Sequence, residues 1–221
     1  MPRDDYRDSL DALRCDVVSM SDLVVSRLRD ALKSLEDKDD ALARRVVKGD
    51  DEVNARYLSI EQDCVELIAL QQPVASDLRF IVASFKIITD LERVGDLAVN
   101  LADRASDADR PRFSEVDVQE IGAFAASMVE DAVTAYEHED VTACRGVAES
   151  DEVLDARCEA ANRRTMRELI DVPADASDGS PVRDTSNLLL TVRDLERVGD
   201  HAVNIAARTL YMVEDDHELL R

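Results

Sequence analysis

Tryptophan is absent from this 221-residue chain, and glycine (6), proline (5), tyrosine (4) and phenylalanine (4) are scarce. With so few turn-formers and so few of the aromatics that favour strands, a sheet-rich fold is disfavoured. Lysine is nearly missing as well, occurring only as Lys33, Lys38, Lys48 and Lys86. Lys and Arg together number 27 against 49 Asp and Glu, a net charge of −22. That balance excludes direct binding to nucleic-acid phosphates, whose affinity comes from basic side chains that displace counterions. An anionic membrane surface is excluded for the same reason. No apolar run approaches the roughly 18 residues of a membrane-spanning helix, and the opening MPRDDYRDSL lacks a signal peptide's apolar core. A soluble, cytoplasmic protein without membrane insertion is therefore expected. Cys15, Cys64, Cys144 and Cys158 form no Cys-x-x-Cys pair and read as reduced, mostly buried small apolar residues.

What is present is a core-forming composition, 45% hydrophobic, so the acidity does not mark a disordered tail. Asp occurs 32 times against 17 Glu, with Arg largely in place of Lys. This resembles the surface of halophilic proteins, where salt screens self-repulsion; an ordinary acidic cytosolic surface is the alternative.

Leu10, Leu13, Val17, Met20, Val24, Leu28, Ala31 and Leu35 step by threes and fours, the stripe of one long helix. A second stripe runs Val46, Val53, Tyr57, Ile60, Cys64, Leu67, opened by Asp39 and Asp40 and ended by Pro73. A third helix is expected from about Ser76 to Ala105. Ser114 is the candidate cap of a fourth carrying Val118, Ile121, Ala125, Met128, Ala132 and Tyr136. A fifth covers about 139–170 and a sixth about Asp184 to Val213.

The chain also repeats itself. Asp90-Leu-Glu-Arg-Val-Gly-Asp-Leu-Ala-Val-Asn100 returns as Asp194-Leu-Glu-Arg-Val-Gly-Asp-His-Ala-Val-Asn204, differing only at Leu97 and His201. At a shorter offset Glu36, Asp39, Arg44, Val46, Asp50, Ala55 and Arg56 match Glu137, Asp140, Arg145, Val147, Asp151, Ala156 and Arg157. A tandem duplication follows: an all-α chain of six long helices in two antiparallel three-helix bundles, residues 1–110 and 111–221.

At about 100° per residue, Glu92, Asp96, Asn100 and Asp103 share one helical face, with Leu91, Val94, Ala98 and Leu101 opposite. Glu196, Asp200 and Asn204 oppose Leu195, Val198, Ala202 and Ile205 in the second copy. Gly95 and Gly199 lie among the acids, each costing about 0.8–1 kcal/mol relative to Ala, which suggests a close approach to the backbone. Carboxylates at i and i+4 repel, and a hard cation such as Mg²⁺, Mn²⁺ or iron would reverse that sign. One stripe holds too few ligands for a closed site. The repeat nominates Asp50 with Asn54, and Asp151 with Asp155, as weaker contributors from the neighbouring helix. Arg93 and Arg197 border the faces, to pair with the acids or to meet an anionic partner.

The doubled Glu-Arg-Val-Gly-Asp segment, the Gln71-Gln72-Pro73-Val74-Ala75-Ser76-Asp77-Leu78-Arg79 run and the Gly199-Asp200-His201-Ala202-Val203-Asn204-Ile205-Ala206 run resemble the PhoU family of phosphate-uptake regulators. The resemblance covers nearly the whole chain. It implies a pair of three-helix bundles, often homodimeric, whose Glu-xxx-Asp motifs hold iron, zinc or other metals. By position these are Glu92 and Asp96, then Glu196 and Asp200. It further implies no enzymatic activity but a regulatory role, with two partners: the ATPase subunit of the phosphate ABC transporter and, in bacteria, a phosphate-sensing histidine kinase. Asp151-Glu-Val-Leu-Asp155 stands where the first copy has Asp50-Asp-Glu-Val-Asn54, so the two sites differ in charge.

Two rivals remain. A di-iron or iron-storage bundle needs inward Glu-x-x-His pairs, and the chain has only Glu214 with His217, near its end. A metal-free interaction scaffold would use Gly95 and Gly199 for helix approach and pair the carboxylates with Arg93 and Arg197. No P-loop, nucleophile elbow or dinucleotide fingerprint is present, so no catalytic residue is expected.

Overall fold

The computed structural model describes residues 3–107, 116–170, 180–216 and 218–219. Among them lie seven helices and no strand: α1 (Arg3–Asp37), α2 (Asp40–Lys48), α3 (Asp50–Gln71), α4 (Ala75–Asp107), α5 (Val118–His138), α6 (Val141–Ile170) and α7 (Ser180–Glu214).

The expected second helix is divided. Gly49 separates α2 from α3 at φ −76° and ψ −6°, with its N–H still bonded to the carbonyls of Arg45 and Val46 at 3.0 Å. A Cβ at Gly49 would lie 2.6 Å from Cζ of Arg27, whose guanidinium donates to Glu52 at 2.8 Å, so α1 closes on the joint. The matching residue in the second copy is Ser150, and α6 runs on unbroken.

Capping chemistry is duplicated with the sequence. Lys38 and Glu139 take positive φ (53° and 56°), ending α1 and α5 in the left-handed conformation. The next residue then caps the following helix: Asp39 Oδ1 accepts from the N–H groups of Ala41 and Leu42, and Asp140 Oδ1 from those of Thr142 and Ala143. Gln72, also left-handed at φ 47°, ends α3 just before Pro73. Ser114 lies outside the described residues; the side chain that caps α5 is Asp117, accepting from the N–H of Glu120 at 2.9 Å.

Within the first half α1 and α3 pack on α4; within the second, α5 and α6 pack on α7. The halves meet through α4 on α7 and α1 on α5, and the buried side chains form one continuous core. Val17, Met20, Val24, Leu28 and Ala31 of α1 are fully buried in it, as are Leu91, Val94, Ala98 and Leu101 of α4 and Leu195, Val198, Ala202 and Ile205 of α7. A polar staple crosses the halves. Arg14 donates to the carbonyl oxygens of Tyr136 and Glu137 and to the Glu139 carboxylate, and lies over the rings of Phe80 and Tyr136. The Tyr136 hydroxyl, fully buried, is 2.7 Å from Ser84 Oγ, which itself donates to the Phe80 carbonyl. Among the described residues no helix is long and apolar enough to cross a membrane.

Candidate functional site

The two glycines of the repeat set the geometry. A Cβ at Gly95 would stand 3.2 Å from Cγ1 of Val53, and one at Gly199 would stand 2.4 Å from Cδ2 of Leu154 and 3.0 Å from Oδ1 of Asp151. What approaches the backbone is therefore the neighbouring helix of the same unit, α3 on α4 and α6 on α7. Val53 and Leu154 are equivalent in the two copies, and each is flanked by the nominated donors: Asp50 and Asn54, Asp151 and Asp155. Close packing at the glycine carries those donors up to the acidic stripe.

In the first half Asn54 Nδ2 donates to Asp50 Oδ2 at 2.8 Å. The Asp50 carboxyl is pushed above its usual range by burial, then by the charge of Asp96. Glu92 is raised by burial and by Asp96 and Asp50, against a lowering by Arg93 and His201. Arg93 bridges its neighbours, 3.4 Å from Glu92 and 3.0 Å from Asp96. In the second half Glu196 is raised by burial, then by Asp155 and Asp200. Arg197 turns instead toward Asp194, 3.9 Å away. Asp155 replaces Asn54, so this cluster is the more negative of the two.

Asn100 and Asp103 are exposed at the margin of the first stripe. Asn204 faces the other half, its Nδ2 3.2 Å from Asp90 Oδ1. Among the described residues no three Asp, Glu, His or Cys side chains converge into a ready-made metal centre. The donor set fits a cation by its chemistry: carboxylate and amide oxygens from two packed helices, with crowded acids held above their ordinary pKa. His217, of the Glu214 pair, lies outside the described residues, and His138 bonds the Thr134 carbonyl inside α5.

The sequence reading overlooked the first residue of the repeat. Asp90 accepts from His201 Nδ1 at 2.9 Å, and Asp194, 2% exposed, pairs with Arg104. Both contacts link α4 to α7 and show the two helices running antiparallel. A signal was available, since Asp90 and Asp194 sit one turn before Val94 and Val198, on the apolar side, where a charge requires a partner.

Fold and site together define a duplicated helical bundle with an acidic face on each unit. A family model described as PhoU domain matches residues 17–105 and 118–209, and the chain belongs to the PhoU-domain family. The "Phosphate-specific transport system accessory protein PhoU homolog" of Pseudomonas aeruginosa is 34% identical over 212 residues, covering 94% of this chain and 85% of the relative. The Escherichia coli "Phosphate-specific transport system accessory protein PhoU" is 29% identical over 215 residues, covering 95% and 85%. The crystal structure of PhoU from Pseudomonas aeruginosa superposes with a TM-score of 0.87 at 33% identity, over 96% of this chain and 100% of that one. The phosphate transport system regulatory protein PhoU from Streptococcus pneumoniae gives 0.85 at 26% identity, over 96% and 98%.

Proposed function

We propose that this protein is a non-catalytic regulator of phosphate uptake, working in the cytoplasm by contact with the ATPase subunit of a phosphate ABC transporter. Where the cell has a phosphate-sensing histidine kinase, that kinase is a second partner. The observation that carries the reading is the extent of the likeness: relatives named as phosphate-transport accessory proteins align over 94–95% of the chain, both units included. Deleting the gene should leave phosphate uptake high when phosphate is plentiful. Affinity capture of the tagged chain at native salt should enrich the ATPase subunit. Unchanged uptake and transporter expression in the deletion strain would count decisively against the reading.

The finer part concerns metal. Glu92 and Asp96 with Asp50 and Asn54, and Glu196 and Asp200 with Asp151 and Asp155, supply the oxygen donors, with Asn100 and Asn204 at the margins. Iron, zinc, magnesium or manganese are the candidate ions. A bound cation would offset the repulsion among these carboxylates and fasten α3 to α4 and α6 to α7. Protein purified without chelator should contain metal by elemental analysis, and Asp96→Ala with Asp200→Ala should remove it. Equal metal content in that double variant would sink the assignment.

One observation favours a second reading, a metal-free scaffold: Arg93 already contacts both Glu92 and Asp96. If chelator treatment leaves the melting temperature unchanged and no metal is recovered, the scaffold reading is the one to keep.

A further inference from the structure

The seam between α4 and α7 is built twice over, and its two ends differ in charge. The offset that carries Asp90 onto Asp194 also carries Arg104 onto Arg208 and Lys86 onto Leu190. At one end Arg104 pairs with Asp194, and Leu190 stands uncharged one turn before that aspartate. The repeat would have Arg208 pair with Asp90 at the other end. It does not. His201, which replaces Leu97 of the first copy, lies 2.9 Å from Asp90 Oδ1, and Asn204 donates to the same oxygen at 3.2 Å. Nε of Arg208 is enclosed without a hydrogen-bond partner, and Lys86 stands where the first end has Leu190.

Register brings these cations to one place. Asp90 lies beside His201, and Arg79 Nε donates to the Met212 carbonyl at 3.5 Å, so residues 79–90 of α4 run against residues 201–212 of α7. Lys86 precedes Asp90 by one turn and Arg208 follows Asn204 by one turn, which puts both on the side of the seam that those contacts mark. Lys86 is exposed and Arg208 half-buried, and among the described residues neither enters an ion pair. Arg79, bonded to a carbonyl rather than a carboxylate, adds a third positive charge. Neighbouring cations repel, and a half-enclosed guanidinium has lost hydration without gaining an acceptor. Acids outnumber basic residues 49 to 27 in this chain, yet the carboxylate that the repeat assigns to Arg208 is held by His201.

We propose that this end of the α4–α7 seam binds a small oxyanion of the phosphate type, held by the Arg208 guanidinium and the Lys86 ammonium, with Arg79 adding longer-range attraction. Arginine offers a planar fork for two oxygens, and lysine a point charge for a third. A small dianion fits better than an acidic protein segment, whose further charges would be set against a chain of net −22. The site is separate from the acidic stripes and does not rest on the phosphate-uptake reading, which is tested in a deletion strain rather than on the purified chain.

Calorimetric titration with inorganic phosphate tests it, on metal-stripped protein so that phosphate cannot ride on a bound cation, with ionic strength held constant by chloride. One saturable site per chain is expected, and sulfate should compete for it. Arg208→Gln and Lys86→Gln should each raise the dissociation constant by about tenfold or more, the loss of one charge-assisted contact. Lys33→Gln, which removes the same charge from α1, should leave it unchanged. His201→Leu restores the residue of the first copy and releases Asp90 to Arg208, so it should weaken binding although neither cation is removed. Circular dichroism checks that each variant is folded, and the exposed position of Lys86 keeps that variant informative whatever a change at Arg208 does to the fold. A natural chain without a saturable site, unchanged affinity in Lys86→Gln or His201→Leu, or an equal loss in Lys33→Gln would each overturn the proposal. So would a seam that takes up a synthetic acidic peptide and not phosphate.

Discussion

At the scale of single residues, the two glycines of the repeat are alike in sequence and unlike in tolerance. Both would gain about 0.8–1 kcal/mol of helix propensity as alanine. At Gly95 the added methyl meets Val53 at 3.2 Å, a contact that a small shift relieves, and Gly95→Ala should stay within about 1 kcal/mol of neutral in urea unfolding. At Gly199 it meets fully buried Leu154 at 2.4 Å and Asp151 at 3.0 Å. Overpacking of that kind costs about 1–3 kcal/mol, so Gly199→Ala should be clearly destabilised. The reverse order would mean that α6 yields more easily than α3. The cysteines offer a second residue-level check. Burial pushes the Cys64 and Cys158 thiols up to about 12 and Cys144 to about 11, while Cys15 is exposed. A maleimide at pH 8 should label Cys15 alone until denaturant is added, as peptide mapping would report.

Between elements, the interface of α4 with α7 rests on charges that face inward. Asp194→Ala would leave the half-enclosed Arg104 guanidinium without its carboxylate, a loss of about 3–5 kcal/mol for pairs of this kind. Replacing both residues by apolar ones of similar size should recover much of it, and thermal unfolding of the single and paired variants measures the difference. Equal losses in the two would show that the pair itself, and not the stranded guanidinium, carries the stability. The start of α2, by contrast, was legible in advance, because an aspartate such as Asp39 ahead of an amphipathic stripe has a local partner in the first-turn N–H groups. Asp140 repeats that cap in the second copy, whereas the cap of α5 is Asp117 and was not singled out. The break at Gly49 was not legible, because the stripe through Val46 and Val53 keeps its phase across it, and the side chain that closes on the glycine, Arg27, belongs to another helix. The carboxylate pairing of α3 with α4 was foreshadowed by the repeat, whereas the bond from Asp90 to His201 joins positions whose contact depends on how the two halves dock.

At the scale of the whole molecule, the crowded acids of the two units act in a direction opposite to that of a salt-bridged carboxylate. Asp50, Glu92 and Glu196 all hold their protons above the ordinary carboxylate range when folded. Between the ordinary and the raised values the folded chain binds more protons than the unfolded one. The stability these groups contribute is thus present below that window and lost as pH rises through it. Glu196→Gln should accordingly raise the unfolding free energy measured with urea at pH 7, by about 0.2–0.5 kcal/mol for relief of the like-charged pair with Asp200, and the gain should shrink as the pH falls and the glutamate takes up its proton. A gain that grows in acid would contradict the raised value. Among the described residues most of the other carboxylates are solvent-facing, and composition alone could not separate the few crowded ones from them; the repeated motif did.

The antiparallel run of α4 and α7 sends their N-terminal ends to opposite poles of the molecule. With them go the C-terminal ends of α3 and α6, one bearing Asp63 and Glu66 and the other Arg163, Arg164 and Arg167. The two poles of a duplicated body therefore differ locally in the side chains they present, although the net charge of −22 is spread over the whole chain. At low ionic strength two such bodies repel as monopoles, so approach is slow. Near 1 M salt the screening length falls to about 3 Å, and that repulsion gives way to surfaces that actually touch.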